Sequence, residues 1–249
     1  FDDTFNFSPD WIKKFHDELK KRKLKISYRC LARVMITQET LKLMKDSGCY
    51  HISFGVESAS DRVLKAVKKH ITKEQIIKAV NWAHELGIFT KVFIMLGLPE
   101  EKREDVKETE QLITTLPIDE IAMGYTSLLP GTELFMQSQI GNDIWFDETV
   151  DFQNPQGISN TPPHKGLLPY QEFVKLKDEM RVKFFLVNFG RNMKMVRKLM
   201  HSKIDVLKYA LRLTAYLESR VKSRFDLPWQ ALLILPFLKT YLFVKKFNK

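Results

Sequence analysis

The sequence predicts an α/β fold built on a parallel sheet and followed by a C-terminal helical extension. Strand-like and helix-like segments alternate over the first 135 residues, and the strand-like segments begin near positions 25, 50, 88 and 118. Units of about 25–40 residues have the size of a strand–helix repeat. Such alternation gives parallel strands joined by right-handed crossovers. An open doubly wound sheet and a partial barrel both fit this pattern.

Local signals define the individual elements. The predicted strands cover residues 25–30, 50–56, 88–96 and 118–126, and the predicted helices cover residues 37–46, a short stretch from 60, 72–87 and 105–115. Thr72 and Gln75 have the spacing of a capping box. Ser8 and Pro9 predict an earlier helix start, and its aromatic stripe, with Trp11 and Phe15, is predicted to be core. The apolar run 88–96 predicts a strand buried on both faces.

Charge divides the chain into two regions. Net charge is +10, but residues 1–164 carry 21 Lys and Arg against 24 Asp and Glu, whereas residues 165–249 carry 19 against 6. The basic region suits an acidic lipid surface or an acidic partner, or is a solvated helical surface. No motif of alternating aromatic and basic residues indicates nucleic acid. We predict a sheet domain over residues 1–138, a linker over 139–168 and a basic helical extension over 169–249.

Polar or flexible residues follow four predicted strands. These residues are Asp2 and Asp3, Arg33, Glu57 with Ser58, and Gly97-Leu98-Pro99 with Glu101. Parallel α/β folds bind ligands at the carboxyl ends of their strands. Such a rim suits a zwitterionic amino acid, since carboxylates bind its ammonium and a guanidinium binds its carboxylate. Taken singly, Glu57 or Arg33 equally fits an ordinary ion pair, and Gly97-Leu98-Pro99 fits a common turn.

The ordered set of motifs resembles one enzyme family. It comprises residues 2–5, Arg33, Gly48 and Cys49, residues 52–58, Leu64, Lys69, Gly87, residues 93–99 with Glu101, and residues 129–134. Together these residues resemble the radical S-adenosylmethionine (radical SAM) domain that often follows a cobalamin-binding domain. They are similar to the anaerobic Mg-protoporphyrin ester cyclases over about residues 1–138.

The resemblance implies a partial (βα) barrel of radical SAM type, whose cofactors are S-adenosylmethionine (SAM), a [4Fe–4S] cluster and, in many members, cobalamin. It implies 5′-deoxyadenosyl-radical chemistry, such as methyl transfer or cyclisation, on a small-molecule or lipid-like substrate. The electron donor would be a flavodoxin or ferredoxin. By position, Asp2 or Asp3 corresponds to the acid near the SAM ammonium.

The remaining predicted site residues are also assigned by position. Arg33 and Glu57, with Ser58, correspond to contacts with the SAM carboxylate and ribose. Gly97-Leu98-Pro99 corresponds to the turn that lines the adenine, and Pro130 to the border of the substrate cavity. Glu100 replaces a glycine of the family pattern, so a left-handed turn there would be strained.

The cysteines depart further from the family. The cluster needs three thiolates spaced CxxxCxxC on one loop, but the chain has only Cys30 and Cys49, which are 19 residues apart. We predict that both cysteines pack in the core and hold no metal. We therefore expect an N-terminally truncated barrel whose cluster ligands lie in a preceding segment, and we expect this chain alone to be inactive.

Two further readings of the sequence stay open. One is a complete α/β-barrel enzyme of another class, and the other is a non-enzymatic module that docks on a membrane surface. Residues 225–249 are apolar, but Pro236 and Lys239 interrupt them, so they fall short of the about 20 apolar residues of a membrane span. We predict a cytoplasmic protein with peripheral membrane contact through this segment.

Deleting residues 225–249 tests the predicted membrane contact. The deletion removes an apolar surface and four lysines, so flotation with phosphatidylserine liposomes should weaken by at least about tenfold. Phosphatidylcholine liposomes are the control for charge. Equal flotation of the intact and shortened chains would place this segment in the protein core instead.

Overall fold

The structure, a computed structural model, describes residues 4–126, 131–134, 136 and 170–199. The strands are β1 (Tyr28–Ala32), β2 (Cys49–Glu57), β3 (Phe89–Leu96) and β4 (Glu120–Tyr125). The helices are α1 (Pro9–Lys21), α2 (Gln38–Asp46), α3 (Asp61–Ala66), α4 (Lys73–Glu85), α5 (Arg103–Thr115) and α6 (Tyr170–Leu199). Each strand and helix predicted between residues 8 and 126 is confirmed, with ends shifted by a few residues.

The four strands form one parallel sheet in the order β1-β2-β3-β4. Helix α2 connects β1 to β2, helices α3 and α4 connect β2 to β3, and α5 connects β3 to β4. A doubly wound sheet reverses its strand order at a switch point, and the described strands show no such reversal. The order along the chain is that of a barrel wall, so the predicted partial barrel is confirmed.

Strand β3 shows that the two faces of the sheet differ. Its residues alternate between buried positions, such as Val92 and Ile94, and half-exposed positions, such as Lys91 and Phe93. The prediction of burial on both faces was therefore wrong. The physical reason is Lys91, whose ammonium pairs with Glu120 at 2.6 Å and cannot enter a dry core. We call the half-exposed face, which carries Lys91, Phe93 and Met95, the open face.

Helix α4 begins as its capping signal predicts. The Thr72 hydroxyl accepts a hydrogen bond from the Gln75 amide, and the Gln75 side chain accepts one from the Thr72 amide. This exchange satisfies two amide groups that the first helical turn leaves without partners. Ile76 and Val80 then lie on the buried face of the helix, and this face packs α4 against the sheet.

Helix α1 begins at Pro9, and the Ser8 hydroxyl caps the Trp11 amide, as predicted. The aromatic stripe is not core, however, because Trp11 and Phe15 are only half-buried and Ile12 is the fully buried residue of the helix. The two rings stack on each other at 5.3 Å. They form a surface aromatic cluster, which the spacing alone does not distinguish from a core face.

The chain divides into two compact units, Phe1–Lys177 and Asp178–Lys249. Helix α6 belongs to the predicted helical extension 169–249 and spans Tyr170–Leu199. The predicted linker 139–168 and residues 200–249 of the predicted extension lie outside the described residues. Among the helices described, none is long and apolar enough to cross a membrane.

Substitution of Gly48 by alanine should destabilise the fold strongly. Gly48 has φ +97°, and a Cβ there would lie 2.0 Å from the Ile26 carbonyl oxygen. We expect the free energy of unfolding to fall by about 2–4 kcal/mol in urea titrations. Gly124→Ala is the matched control, since no atom lies within 4 Å of its added Cβ. Similar losses in both variants would contradict the steric explanation.

Candidate functional site

The carboxyl ends of β1, β2 and β3 lie side by side at one edge of the sheet. Ala32 pairs with Phe54 in the β1–β2 register, and Glu57 pairs with Ile94 in the β2–β3 register. Parallel pairing therefore brings together the predicted site residues Arg33, Glu57, Ser58, Gly97, Leu98 and Pro99. The predicted residues Asp2, Asp3 and Pro130 lie outside the described residues.

Arg33 follows β1, and the buried side chain of Asn6 fixes its backbone. The Asn6 Nδ2 donates to the Arg33 carbonyl at 2.9 Å, and the Arg33 amide donates to Asn6 Oδ1 at 2.8 Å. Beside them, the Phe5 amide donates to the Leu31 carbonyl at 2.8 Å. The Arg33 side chain is exposed and has no ion-pair partner within the described part of the chain.

Glu57 ends β2 in a left-handed conformation, with φ +67°, at a register shift after Gly55. Its Oε1 pairs with Lys69 Nζ at 2.9 Å, and the two side chains are 16% and 31% exposed. A Cβ on Gly55 would lie 2.9 Å from Glu57 Oε1, so the glycine leaves room for this ion pair. This ion pair holds the Lys69 ammonium at the end of β2.

Ser58 is fully buried, and its hydroxyl belongs to a network that fixes the loop after β2. The Ser58 Oγ accepts a hydrogen bond from the Ser60 amide at 3.2 Å and lies 3.4 Å from Thr109 Oγ1. Thr109 Oγ1 in turn accepts one from the Ala59 amide at 2.9 Å. These contacts attach the loop to α5. A direct contact between Ser58 and a cofactor stays a prediction.

Residues 97–101 form the turn after β3, which we call the Gly97 turn. Gly97 has φ +78° and Glu100 has φ +61°, so the left-handed strain predicted at Glu100 is confirmed. Arg62 stabilises this conformation, since its Nη2 donates to the Glu100 carbonyl at 2.9 Å. The same guanidinium also forms an ion pair with Asp105, at the start of α5. The turn is thereby connected to both α3 and α5.

Glu101 closes the Gly97 turn from within and is fully buried. Its Oε2 accepts hydrogen bonds from the Gly97 amide at 2.6 Å and the Leu98 amide at 3.3 Å, while its Oε1 has no partner among the described residues. Burial raises the pKa of Glu101 to about 7, although the two amide hydrogen bonds act in the opposite direction. The family pattern includes this acid, but nothing in the sequence shows its hydrogen bonds.

The metal-ligating residues present do not fit an iron–sulfur cluster. No group of three or more His, Cys, Asp or Glu side chains that could hold a metal ion occurs among the described residues. Cys30 and Cys49 are both free thiols, with 3.9 Å between their sulfur atoms. Cys49 is buried, as predicted, and Cys30 is half-buried. Two thiolates are too few for a cluster held by three.

A parallel sheet in chain order, with polar groups and a glycine turn at the strand ends, is the architecture of part of an α/β barrel, a fold whose enzymes bind ligands at the carboxyl ends of the strands. The profile of the family described as "Radical SAM superfamily" matches residues 2–113, a range that includes β1, β2, β3 and the Gly97 turn. Residues 2–113 therefore belong to the radical SAM superfamily of enzymes, a family that implies SAM and a [4Fe–4S] cluster as cofactors.

Known proteins share this region. The chain is 34% identical to an uncharacterized methyltransferase of Pyrococcus horikoshii over 57% of this chain and 31% of that protein. It is 27% identical to the anaerobic magnesium-protoporphyrin IX monomethyl ester cyclase of Rubrivivax gelatinosus over 57% of this chain and 26% of that protein. The chain thus spans less than a third of the length of these curated relatives.

A solved structure is also similar. It is the radical S-adenosylmethionine methyltransferase of Kitasatospora setae with cobalamin and a [4Fe–4S] cluster bound, at 17% identity and a TM-score of 0.49. The match covers 59% of this chain and 31% of that chain.

Replacement of Thr109 by valine tests the hydrogen-bond network that connects Ser58 and the loop after β2 to α5. Because the buried Ala59 amide loses its acceptor, the free energy of unfolding should fall by about 1–3 kcal/mol in urea titrations. Thr115→Val makes the same chemical change at an exposed position of α5 and should cost at most about 0.5 kcal/mol. Equal stability of the two variants would show that Thr109 does not hold the loop.

Proposed function

We propose that the rim formed by Arg33, Glu57 and the Gly97 turn binds SAM, in an enzyme that uses a 5′-deoxyadenosyl radical. The carrying observation is that these three features lie on neighbouring parallel strands in a chain of the radical SAM superfamily. Ligands of parallel α/β folds bind at this edge. The rim has groups of both charges, which suits the zwitterionic methionine part of SAM.

Each residue has a chemical role in this proposal. The exposed Arg33 guanidinium binds the SAM carboxylate. Glu57 Oε1 pairs with Lys69, while its Oε2 has no hydrogen-bond partner among the described residues and accepts from the ribose hydroxyls. Gly97-Leu98-Pro99 lines the adenine ring, since Gly97 has no side chain to hold the ring away from the backbone. Asp2 or Asp3, outside the described residues, completes the rim near the SAM ammonium.

The radical step needs a [4Fe–4S] cluster, and the two cysteines of this chain are fewer than the three thiolates that hold one. In the radical SAM superfamily a [4Fe–4S] cluster supplies the electron that cleaves SAM. Since Cys30 and Cys49 are the only cysteines of the chain, we propose SAM binding for these residues and place the cluster ligands outside them. A flavodoxin or ferredoxin as electron donor, and cobalamin as a further cofactor, belong to the same proposal.

The open face of the sheet suits a substrate that is apolar or that has both apolar and polar parts. Phe93 and Met95 of β3 and Ala122 of β4 are half-exposed on this face, directly below the rim. These side chains suit a small-molecule or lipid-like substrate whose reacting carbon must stay away from water. Methyl transfer and cyclisation, the activities in the names of the two curated relatives, both agree with such a surface. Peripheral membrane contact through residues 225–249 remains part of the proposal.

Glu57→Gln tests the proposed ribose contact. The substitution keeps the shape of the side chain but removes its charge, so SAM affinity measured by equilibrium dialysis should fall by about tenfold or more. Glu18→Gln is the matched control, because Glu18 is an exposed carboxylate of α1 that pairs only with Arg22 among the described residues.

Two measurements separate a lost contact from a lost fold. Thermal unfolding of the Glu57→Gln variant reports the effect of removing the negative charge that pairs with Lys69, and circular dichroism reports the fold. Unchanged SAM affinity in a folded Glu57→Gln variant would remove Glu57 from the site. Absence of SAM binding to the unaltered, folded chain would contradict the proposed function as a whole.

A further inference from the structure

The Gly97 turn depends on one buried carboxyl group. Glu101 Oε2 is the acceptor for two amide groups of the turn, those of Gly97 and Leu98. The Glu101 amide also donates to the Leu98 carbonyl at 3.1 Å. Pro99 has no amide hydrogen, so the amides at the start of the turn are those of Gly97 and Leu98. Glu101 accepts a hydrogen bond from both. The shape of the turn is therefore set by Glu101.

Two effects act in opposite directions on the ionisation of the Glu101 carboxyl group. A carboxylate accepts amide hydrogen bonds more strongly than a neutral acid does, and this favours ionisation while the turn is closed. The partnerless Oε1 loses its hydration in the fully buried position, and this opposes ionisation. Burial is the larger effect, since it raises the pKa of Glu101 from 4.5 to about 7.

The charged groups around Glu101 do not compensate its charge. Asp105 at the start of α5 raises the pKa of Glu101 further through its own negative charge. Arg62 on α3 directs its guanidinium to Asp105 and Glu100, and Glu100 is an exposed carboxylate. Lys102 donates its backbone amide to Asp105 at 2.7 Å. Among the described residues, none forms an ion pair with Glu101.

We propose that Glu101 is a positioning residue for the Gly97 turn, and that the closed turn is most stable while Glu101 is protonated and opens more often once Glu101 ionises. In the open turn water hydrates both carboxylate oxygens, which the closed turn does not allow. The inference rests on the proposed function, in which this turn lines the adenine of SAM. The proton on Glu101 then controls how well the turn is ordered for SAM.

The sign and size of the effect follow from linkage. Below about pH 4.5 Glu101 is protonated whether the turn is open or closed, so the closed turn has its full stability. Between about pH 4.5 and 7 only the open turn ionises, and the opening equilibrium should rise about tenfold per pH unit. Above about pH 7 both forms are ionised and the opening equilibrium levels off.

Amide hydrogen exchange tests this coupling in the ligand-free full chain between pH 5 and 8. The protection of Gly97 and Leu98, corrected for intrinsic exchange, should fall about tenfold per pH unit up to pH 7 and then become constant. Glu101→Gln retains an oxygen acceptor for both amides but cannot ionise, so its protection should not vary with pH. Glu104→Gln, at an exposed carboxylate of α5 outside the turn, should follow the unaltered chain.

A second measurement covers the case in which Glu101→Gln does not fold. In the unaltered chain, the carboxyl ¹³C shift of Glu101 and the amide ¹⁵N shift of Gly97 should titrate with one common midpoint near pH 7. Different midpoints, or a pH-dependent protection that persists in folded Glu101→Gln, would overturn the inference. Because SAM is absent from both measurements, they are independent of whether the rim binds SAM, which equilibrium dialysis decides separately.

Discussion

Parallel pairing of β1 to β4 in chain order is the constraint on which the rest of the structure depends. It requires each connection to return along the sheet, so helices α2, α4 and α5 carry apolar faces. It also brings the carboxyl ends of the strands to one edge, which residues from distant parts of the sequence then share. A register shift of one residue would exchange the two faces of a strand and move Lys91 into the buried layer.

The strand ends have a second feature in common, because a buried or nearly buried polar side chain holds the backbone after each of three strands. Asn6 holds Arg33 after β1, Thr109 holds Ala59 after β2, and Glu101 holds Gly97 after β3. A strand that ends loses the ladder partners of its amide groups, and buried amides need an acceptor. The same side chains that satisfy this need also fix the backbone from which the rim residues project.

Local signals were sufficient to predict the elements, as Thr72 with Gln75 did for the start of α4. The strain at Glu100 was instead predicted from the family pattern, which has a glycine at this position. Long-range contacts were not accessible in this way. Lys69 pairs with Glu57 across 12 positions and Thr109 holds Ala59 across 50. No periodicity in the sequence shows either contact. The residues next to Lys91 are apolar, so the sequence alone predicted burial on both faces of β3 and did not show the open face.

The position of the two cysteines adds a geometric argument to the argument from their number. Cys49 is the first residue of β2, whereas Glu57 is the last, and eight steps of a parallel strand span about 26 Å. Cys30 lies 3.9 Å from Cys49, measured between their sulfur atoms, so the two thiols lie together near the amino end of β2, although Cys30 is only three residues before Arg33 in the sequence. Two thiols at this position are too few for a cluster held by three thiolates, and Cys49 is far from Glu57. In the proposed function the rim residues therefore hold SAM rather than a metal.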